Sequence, residues 1–305
     1  MKKSLLALAT SMVMVSTAQA DAKFYGKMNV SLAYQDEAET FTLNSNASRL
    51  GVKGFEEIGS TKVIYKAEYE VAIDDGYATD DGTDTNTIKP RDAYIGLAYS
   101  GMGSVKMGNM DTPLKKSQGK FDLFNDVVDI KNVLDGENRL GNSINYTTEK
   151  MGGFQSSVSV ILSESDTTEG ISANAIYNVG ALYVAAAFDN KVKGAEGTQR
   201  ITAIYTLGDV KVGALVNNVD SDDVTDGEDE LGYAVNASMK MGMNTLKAQY
   251  EAGDQKVEGA TSTTVGMDHK LGKATKAFVF VNQMTADAVG VEDETTLALG
   301  LEHKF

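Results

Sequence analysis

Thr296-Leu297-Ala298-Leu299-Gly300-Leu301-Glu302-His303-Lys304-Phe305 closes the chain. Leu297, Leu299, Leu301, His303 and Phe305 share one face at period two, and Thr296, Ala298, Gly300, Glu302 and Lys304 share the other. That alternation predicts a β-strand lying between two different solvents. A soluble protein gains little by stopping mid-strand on an aromatic. A closed barrel in a membrane gains its seam, because its last strand pairs with its first and leaves no edge.

The pattern recurs toward the N-terminus. In the stretch Phe24–Tyr34, Phe24, Met28, Val30, Leu32 and Tyr34 oppose Lys27, Asn29 and Ser31. Val63, Tyr65, Ala67, Tyr69 and Val71 oppose Lys62, Lys66, Glu68 and Glu70, and Leu231, Tyr233, Val235, Ala237 and Met239 oppose Asn236, Ser238 and Lys240. Leu246, Ala248 and Tyr250 likewise oppose Lys247, Gln249 and Glu251. One segment breaks the rule. If Arg91 points inward, strict alternation also sends Ile95 and Leu97 inward, so a bulge or a local packing role is expected there.

Two kinds of connection separate the strands. Tight, glycine-bearing turns are expected around Gly59, Gly101–Gly103, Gly152–Gly153, Gly180, Gly208, Gly242 and Gly272. Longer, acidic loops are expected at 36–46, 74–88, 112–138, 164–170, 190–199, 220–229, 253–262 and 286–293. The two kinds alternate, which gives about sixteen antiparallel strands of roughly ten residues. A β-sandwich has turn signals at similar spacing but would not alternate short and long connections so regularly. It would also need a buried core where these faces carry Lys, Glu and Asn. The reading is an all-β transmembrane barrel, with long loops outside and short turns on the periplasmic side.

Composition fits a barrel, in which lipid-facing and water-facing residues average out. Hydrophobic residues make up 42% of the chain, yet beyond the N-terminal leader no segment could form a transmembrane helix. Met1-Lys2-Lys3, an apolar run from Leu5 to Val15 and Ala18-Gln19-Ala20 predict a cleaved secretory signal over residues 1–20. The barrel domain is then 21–305. Loss of Lys2 and Lys3 takes the formal charge from −15 to −17. Such acidity argues against nucleic-acid binding. There is no cysteine, hence no disulfide, thiolate or lipid-anchor chemistry.

The segments to residue 154 resemble the general porins of Gram-negative outer membranes. Phe24-Tyr25-Gly26-Lys27 is similar to the opening strand of that family, and Ala47-Ser48-Arg49-Leu50-Gly51-Val52-Lys53-Gly54-Phe55-Glu56-Glu57-Ile58-Gly59 to its second. Arg91-Asp92-Ala93-Tyr94-Ile95-Gly96-Leu97 and Gly103 to Pro113 resemble strands four and five with the start of loop three. Asn138 to Tyr146 resembles strand six, and the terminal Phe305 looks like the assembly signal of outer-membrane barrels. His303 departs from that signal, which more often has Tyr or an apolar residue there.

The resemblance implies a homotrimer of sixteen-stranded barrels, each with its long third loop folded into the lumen as a constriction. By position, the basic wall of that constriction would be Lys27, Arg49, Lys89, Arg91 and Arg139. The acids would be Glu68 on the wall and Asp122, Asp126 and Asp129 in the loop, with Asp135 and Glu137 as further candidates. Lys115, Lys116, Lys120 and Lys131 blur the usual separation of charge. Arginines clustered in this way are tolerable only beside water and counter-charges. Opposed across a narrow wet gap, acids and bases create a transverse field that penalises apolar solutes. The same arginines could instead pair with neighbouring acids and hold the loop down.

The expected function is a non-enzymatic channel for passive diffusion of small hydrophilic solutes and ions, weakly cation-preferring because of its acidic loops. The rivals are a solute-selective channel of the same fold, an acidic-looped adhesin or receptor barrel, and a barrel hydrolase. Expected partners are outer-membrane lipid and lipopolysaccharide. No cofactor or metal is implied. Asp268-His269 cannot form a dyad, because neighbours on a strand face opposite sides. The acidic runs 80–86 and 220–226 lack the spacing of a calcium loop. The aromatics sit mostly on outward faces, with no lumenal stripe to guide sugars.

Overall fold

A computed structural model describes residues 20–74, 88–163, 170–193, 195–220 and 230–305. The expected signal over 1–20 and both acidic runs weighed for calcium therefore lie almost wholly outside the described residues. The described residues form seventeen strand segments: β1 Ala20–Gln35, β2 Thr40–Ser45, β3 Arg49–Ile58, β4 Thr61–Val71, β5 Ile88–Tyr99, β6 Gly103–Asp111, β7 Arg139–Thr147, β8 Phe154–Ile161 and β9 Gly170–Val179. The remainder are β10 Leu182–Val192, β11 Ala195–Leu207, β12 Val210–Asp220, β13 Glu230–Met241, β14 Asn244–Gly253, β15 Ala260–Lys270, β16 Thr275–Thr285 and β17 Glu294–Lys304. A short helix, α1, covers Pro113–Ser117, and a 3-10 turn covers Ile130–Asn132.

Both β2 and β3 pair antiparallel with β1, one from Val30↔Ser45 outward and the other from Lys27↔Arg49 inward. Three residues on one side oppose two on the other, with Ala47 at φ 49°. Ser48 Oγ accepts from Asn29 N at 2.9 Å, and Asn46 N donates to Asn29 O at 2.8 Å. The two segments are one bulged strand, which makes sixteen. β1 also pairs with β17 from Lys27↔Lys304 to Gln35↔Thr296, and so the all-antiparallel sheet closes on itself. Closure leaves no edge to satisfy elsewhere.

The seam ends on Phe305. Its N–H donates to Gly26 O at 3.1 Å and its carbonyl accepts from Gly26 N at 2.9 Å. Its ring covers Gly26, where an added Cβ would come within 2.4 Å of it.

Two expected loops are much shorter than the sequence suggested. The 36–46 stretch turns at 36–39 and then continues as β2, where Phe41 and Leu43 extend the outward row beside Tyr34 and Leu32. The 190–199 stretch is nearly all strand, because Val192↔Ala195 continues the ladder. Alternation between long and short connections is therefore looser than expected.

The bulge expected near Arg91 is present. Ala67 pairs with Ala93 and Tyr69 with Pro90, so Arg91 and Asp92 together oppose Glu68. The extra residue resets the parity, and Ile95 and Leu97 are exposed on the outside.

The inward face is not uniformly polar. Ile204, Leu215 and Ala234 form one apolar patch, and Ala33, Phe278, Phe280 and Ala298 form another. The connection between β6 and β7 covers both. Phe121, Ile130, Val133 and Leu134 pack on the first, and Phe124 and Val128 on the second. Phe278 and Phe280 are thus inward aromatics that the sequence reading missed, buried beneath Phe124 rather than open to solute.

Candidate functional site

The segment 112–138 positions the site. Thr112 caps α1 by accepting from Lys115 N, with Pro113 in the first turn, where its missing N–H costs nothing. Inward polar groups then anchor the backbone along its length. Asn174 donates to Pro113 O, Tyr183 to Ser117 O, Asn236 to Phe121 O and Lys247 to Leu123 O, at 2.6–3.0 Å. At its far end Arg200, fully buried, donates to Glu137 at 2.5 Å, to the Asp135 carbonyl at 2.6 Å and to Asn217 at 3.0 Å. Every branch of that guanidinium is matched. A buried cation is tolerable on this condition.

Beside the segment, the inward faces of β1 and β3–β7 carry an ion-pair network. Asp126 meets Lys27 at 2.5 Å and Arg49 at 3.3 Å. Glu68 accepts from Arg91 at 2.9 Å and from the Tyr25 hydroxyl at 2.7 Å, with Lys66 at 3.3 Å. Asp92 joins Lys66 at 2.8 Å and Arg139 at 3.1 Å. Glu70 and Asp111 complete it against Arg91 and Arg139. Burial pushes the Asp126 carboxyl up, but the charges of Arg49 and Lys27 outweigh it and hold the group below its ordinary range.

Lys27, Arg49, Arg91, Arg139, Glu68 and Asp126, all expected from the sequence, are therefore brought together. Three expected residues are not. Lys89 is exposed near the outer end of β5, with no carboxylate within ion-pair distance among the described residues. Asp122 accepts from Phe124 N and Ile130 N of its own segment and from Gln249 on β14. Asp129 caps the 3-10 turn and lies 3.9 Å from Lys131. Burial, with the Asp129 charge nearby, pushes the Asp122 carboxyl up to about 7. Of the further candidates, Glu137 pairs with Arg200 and Asp135 with Lys256.

Most of the acids that answer the arginines stand on the same wall rather than across a gap. Sequence reasoning missed Asp92 because the residue beside an inward arginine should face outward, and only the bulge turns both inward. It passed over Arg200 because β11 lies beyond the dense resemblance.

Two clefts open from the network and the segment. One, of about 480 Å³, is bordered by Arg49, Arg91, Arg139, Glu68 and Asp92. The other, of about 680 Å³, lies between residues 118–125 and the turn-side ends of β11–β17. Among the described residues no helix is long and apolar enough to cross a membrane, and no group of acids and histidines is arranged to hold a metal.

A closed barrel, lipid-compatible outside and charged inside, defines a β-barrel membrane channel. The profile of the Gram-negative porins matches residues 5–288, and the chain belongs to that family of outer-membrane channels, which are not enzymes. Among solved structures it is similar to the anion-selective porin from Comamonas acidovorans, at 24% identity and TM-score 0.77 over 94% of this chain and 100% of that one. The OmpF–daunomycin complex of Salmonella typhi aligns at 15% identity and TM-score 0.75, over 93% and 97%. The channel DcaP of Acinetobacter baumannii aligns at 16% and 0.71, over 95% and 99%. These likenesses show the fold. No curated protein sequence matches significantly.

Proposed function

We propose that the chain forms a water-filled pore for passive diffusion of small hydrophilic solutes and ions, narrowed by segment 112–138 against the network of Lys27, Arg49, Arg91, Arg139, Glu68 and Asp126. One observation carries this reading: charged side chains border open clefts on the enclosed face of the barrel. Charges of that density are stable only where water reaches them. A closed-lumen adhesin would have no use for them. The homotrimer implied by the family resemblance, insertion among lipopolysaccharide and removal of residues 1–20 belong to the same proposal. The mass of the mature chain and cross-linking in detergent test the last and the first.

Acidic loops predicted weak cation preference, but the described lining favours the opposite sign. Eight cationic side chains and three carboxylates border the 480 Å³ cleft, and counting Asp126, Glu70 and Glu302, which pair with four of those cations, still leaves a positive excess of two. We therefore expect a modest preference for anions. Planar-bilayer recording decides the main reading: stable unitary conductance in potassium chloride supports it, and a protein that inserts without conducting overturns it. Saturable block by a single neutral sugar would favour a solute-selective channel instead.

A further inference from the structure

The 680 Å³ cleft shares only Lys304 with the 480 Å³ one. Six lysines line it: Lys120, Lys211, Lys240, Lys247, Lys276 and Lys304. Only three carboxylates, those of Asp122, Asp209 and Asp268, share it. Asp268 is engaged already, at 2.9 Å from both Lys247 and Lys276, and Asp122 is turned toward Gln249 and its own backbone. Lys304 pairs with Glu302 at 3.0 Å. The other three lysines are not matched. Lys211 donates only to the Lys120 carbonyl, at 2.8 Å, and no described carboxylate lies within ion-pair distance of Lys120, Lys211 or Lys240. Hydroxyls of Thr206, Ser238 and Thr245 stand among them.

The cleft is also placed to hold an occupant. Residues Gln118 to Asn125 roof it, and their backbone is fixed to β13 and β14 through Asn236, Lys247 and Gln249. The opposite side opens toward the short turns. An anion arriving from the turn side reaches the lysines without passing the segment. One arriving from the loop side must pass it first.

We propose that this turn-side cleft is a binding site for compact polyvalent anions, such as a polyphosphate or a tricarboxylate, held by Lys120, Lys211 and Lys240 with the hydroxyls around them. Ammonium groups serve phosphate and carboxylate as point charges. A field of one sign inside low-dielectric walls concentrates counter-ions, and the gain multiplies with the charge of the ion. Chloride gains little from such a site. A trivalent anion gains several times more. The proposal rests on the channel reading only for its electrical readout, since binding can be measured without conduction.

The test uses the full barrel with inorganic tripolyphosphate and, separately, citrate as probes. In bilayers at low salt, tripolyphosphate added from the turn side should interrupt the potassium chloride current in a saturable manner, more strongly than from the loop side. Joint replacement Lys120→Gln, Lys211→Gln and Lys240→Gln should weaken that block about tenfold or more, as expected when several charge-assisted contacts are lost. Lys150→Gln removes one positive charge at the same end of the barrel, outside the cleft, and should leave block unchanged, whereas Lys211→Gln alone should weaken it. Titration calorimetry of the detergent-solubilised protein repeats the comparison without a current. Binding of either probe that the triple variant loses supports the site and identifies which anion chemistry it takes. If the barrel does not conduct but calorimetry shows that same loss, the site stands and the channel reading falls. Conductance without block, and no heat from either anion, overturns the site and leaves the channel. Equal block in the triple variant and the parent also overturns it.

Discussion

Asp126 is the one acid in the segment that reaches the basic wall, and it does so from a left-handed backbone conformation at φ 75°. Asn and Asp tolerate that region better than most residues, so the fold has a local reason to use an acid there. Lys27, 3% exposed, depends on it, with Glu302 more distant at 3.9 Å. Asp126→Asn should therefore leave Arg49 with no ion-pair partner among the described residues and Lys27 with only the more distant Glu302, and loss of one partner of a buried pair costs roughly 3 kcal/mol. The expected outcome is a lower unfolding midpoint in detergent and noisier unitary currents. Asp129→Asn keeps the cap, loses a contact to exposed Lys131, a class of pair worth about 0–1 kcal/mol, and removes a like charge from beside Asp122. It should change neither measurement. Asp122 predicts a pH effect. Its folded pKa, about 7, lies above the ordinary aspartate value, so the anchored segment holds the proton more tightly than a released one. That stabilisation is full below the ordinary aspartate range and is lost as pH rises toward 7. Amide exchange over 121–130, corrected for its intrinsic pH dependence, should show less protection near pH 8 than near pH 5. Asp122→Asn should flatten the difference.

Strands were the most legible elements, because period-two alternation reports lipid on one side and water or protein on the other. The alternation failed where a residue was added. Arg91-Asp92 reads as one inward and one outward side chain, yet both point inward across the bulge opposite Glu68. Ala277-Phe278-Val279-Phe280-Val281 is apolar on both faces, a run that identifies a strand covered on both sides and that could have located the seat of Phe124. The orientations of Asp122 and Asp129 could not be read in this way. They depend on backbone turns inside the segment, where no period applies. The bulge itself is testable by its effect on parity. Ile95→Arg should impair assembly as Val235→Arg does, since Arg near the bilayer midplane costs roughly 2–4 kcal/mol. Ser238→Arg, on the inward face, should be tolerated. Yields of folded, heat-modifiable barrel in vesicles measure all three. An Ile95→Arg protein that assembles like Ser238→Arg would mean that parity is not reset.

The whole molecule has an electrical axis. Carboxylates dominate the long-loop connections in the sequence, with Asp74, Asp75, Asp80, Asp81 and Asp84 in one and Asp220, Asp222, Asp223, Asp226, Glu228 and Asp229 in another. Lysines dominate the described clefts toward the short turns. A pore acidic at one mouth and basic at the other fills with carriers when the field drives cations in through the acidic mouth and anions in through the basic one. That polarity has the loop side positive. With the field reversed, each ion meets the mouth of its own sign first, and the interior is depleted. Current should therefore be larger with the loop side positive when the salt is dilute. Screening acts over about 10 Å at 0.1 M and about 3 Å at 1 M, so the asymmetry should be clear at the lower concentration and nearly absent at the higher. The check is a current–voltage curve at both concentrations, with the direction of insertion fixed by which compartment exposes the long loops to protease. Charge-reversing Lys211 and Lys240 to Glu should reduce the asymmetry, because it removes much of the positive excess at the turn-side mouth. A straight current–voltage relation in dilute salt, or one bent the other way, would show that the two mouths do not act on the permeating ions as separate fields.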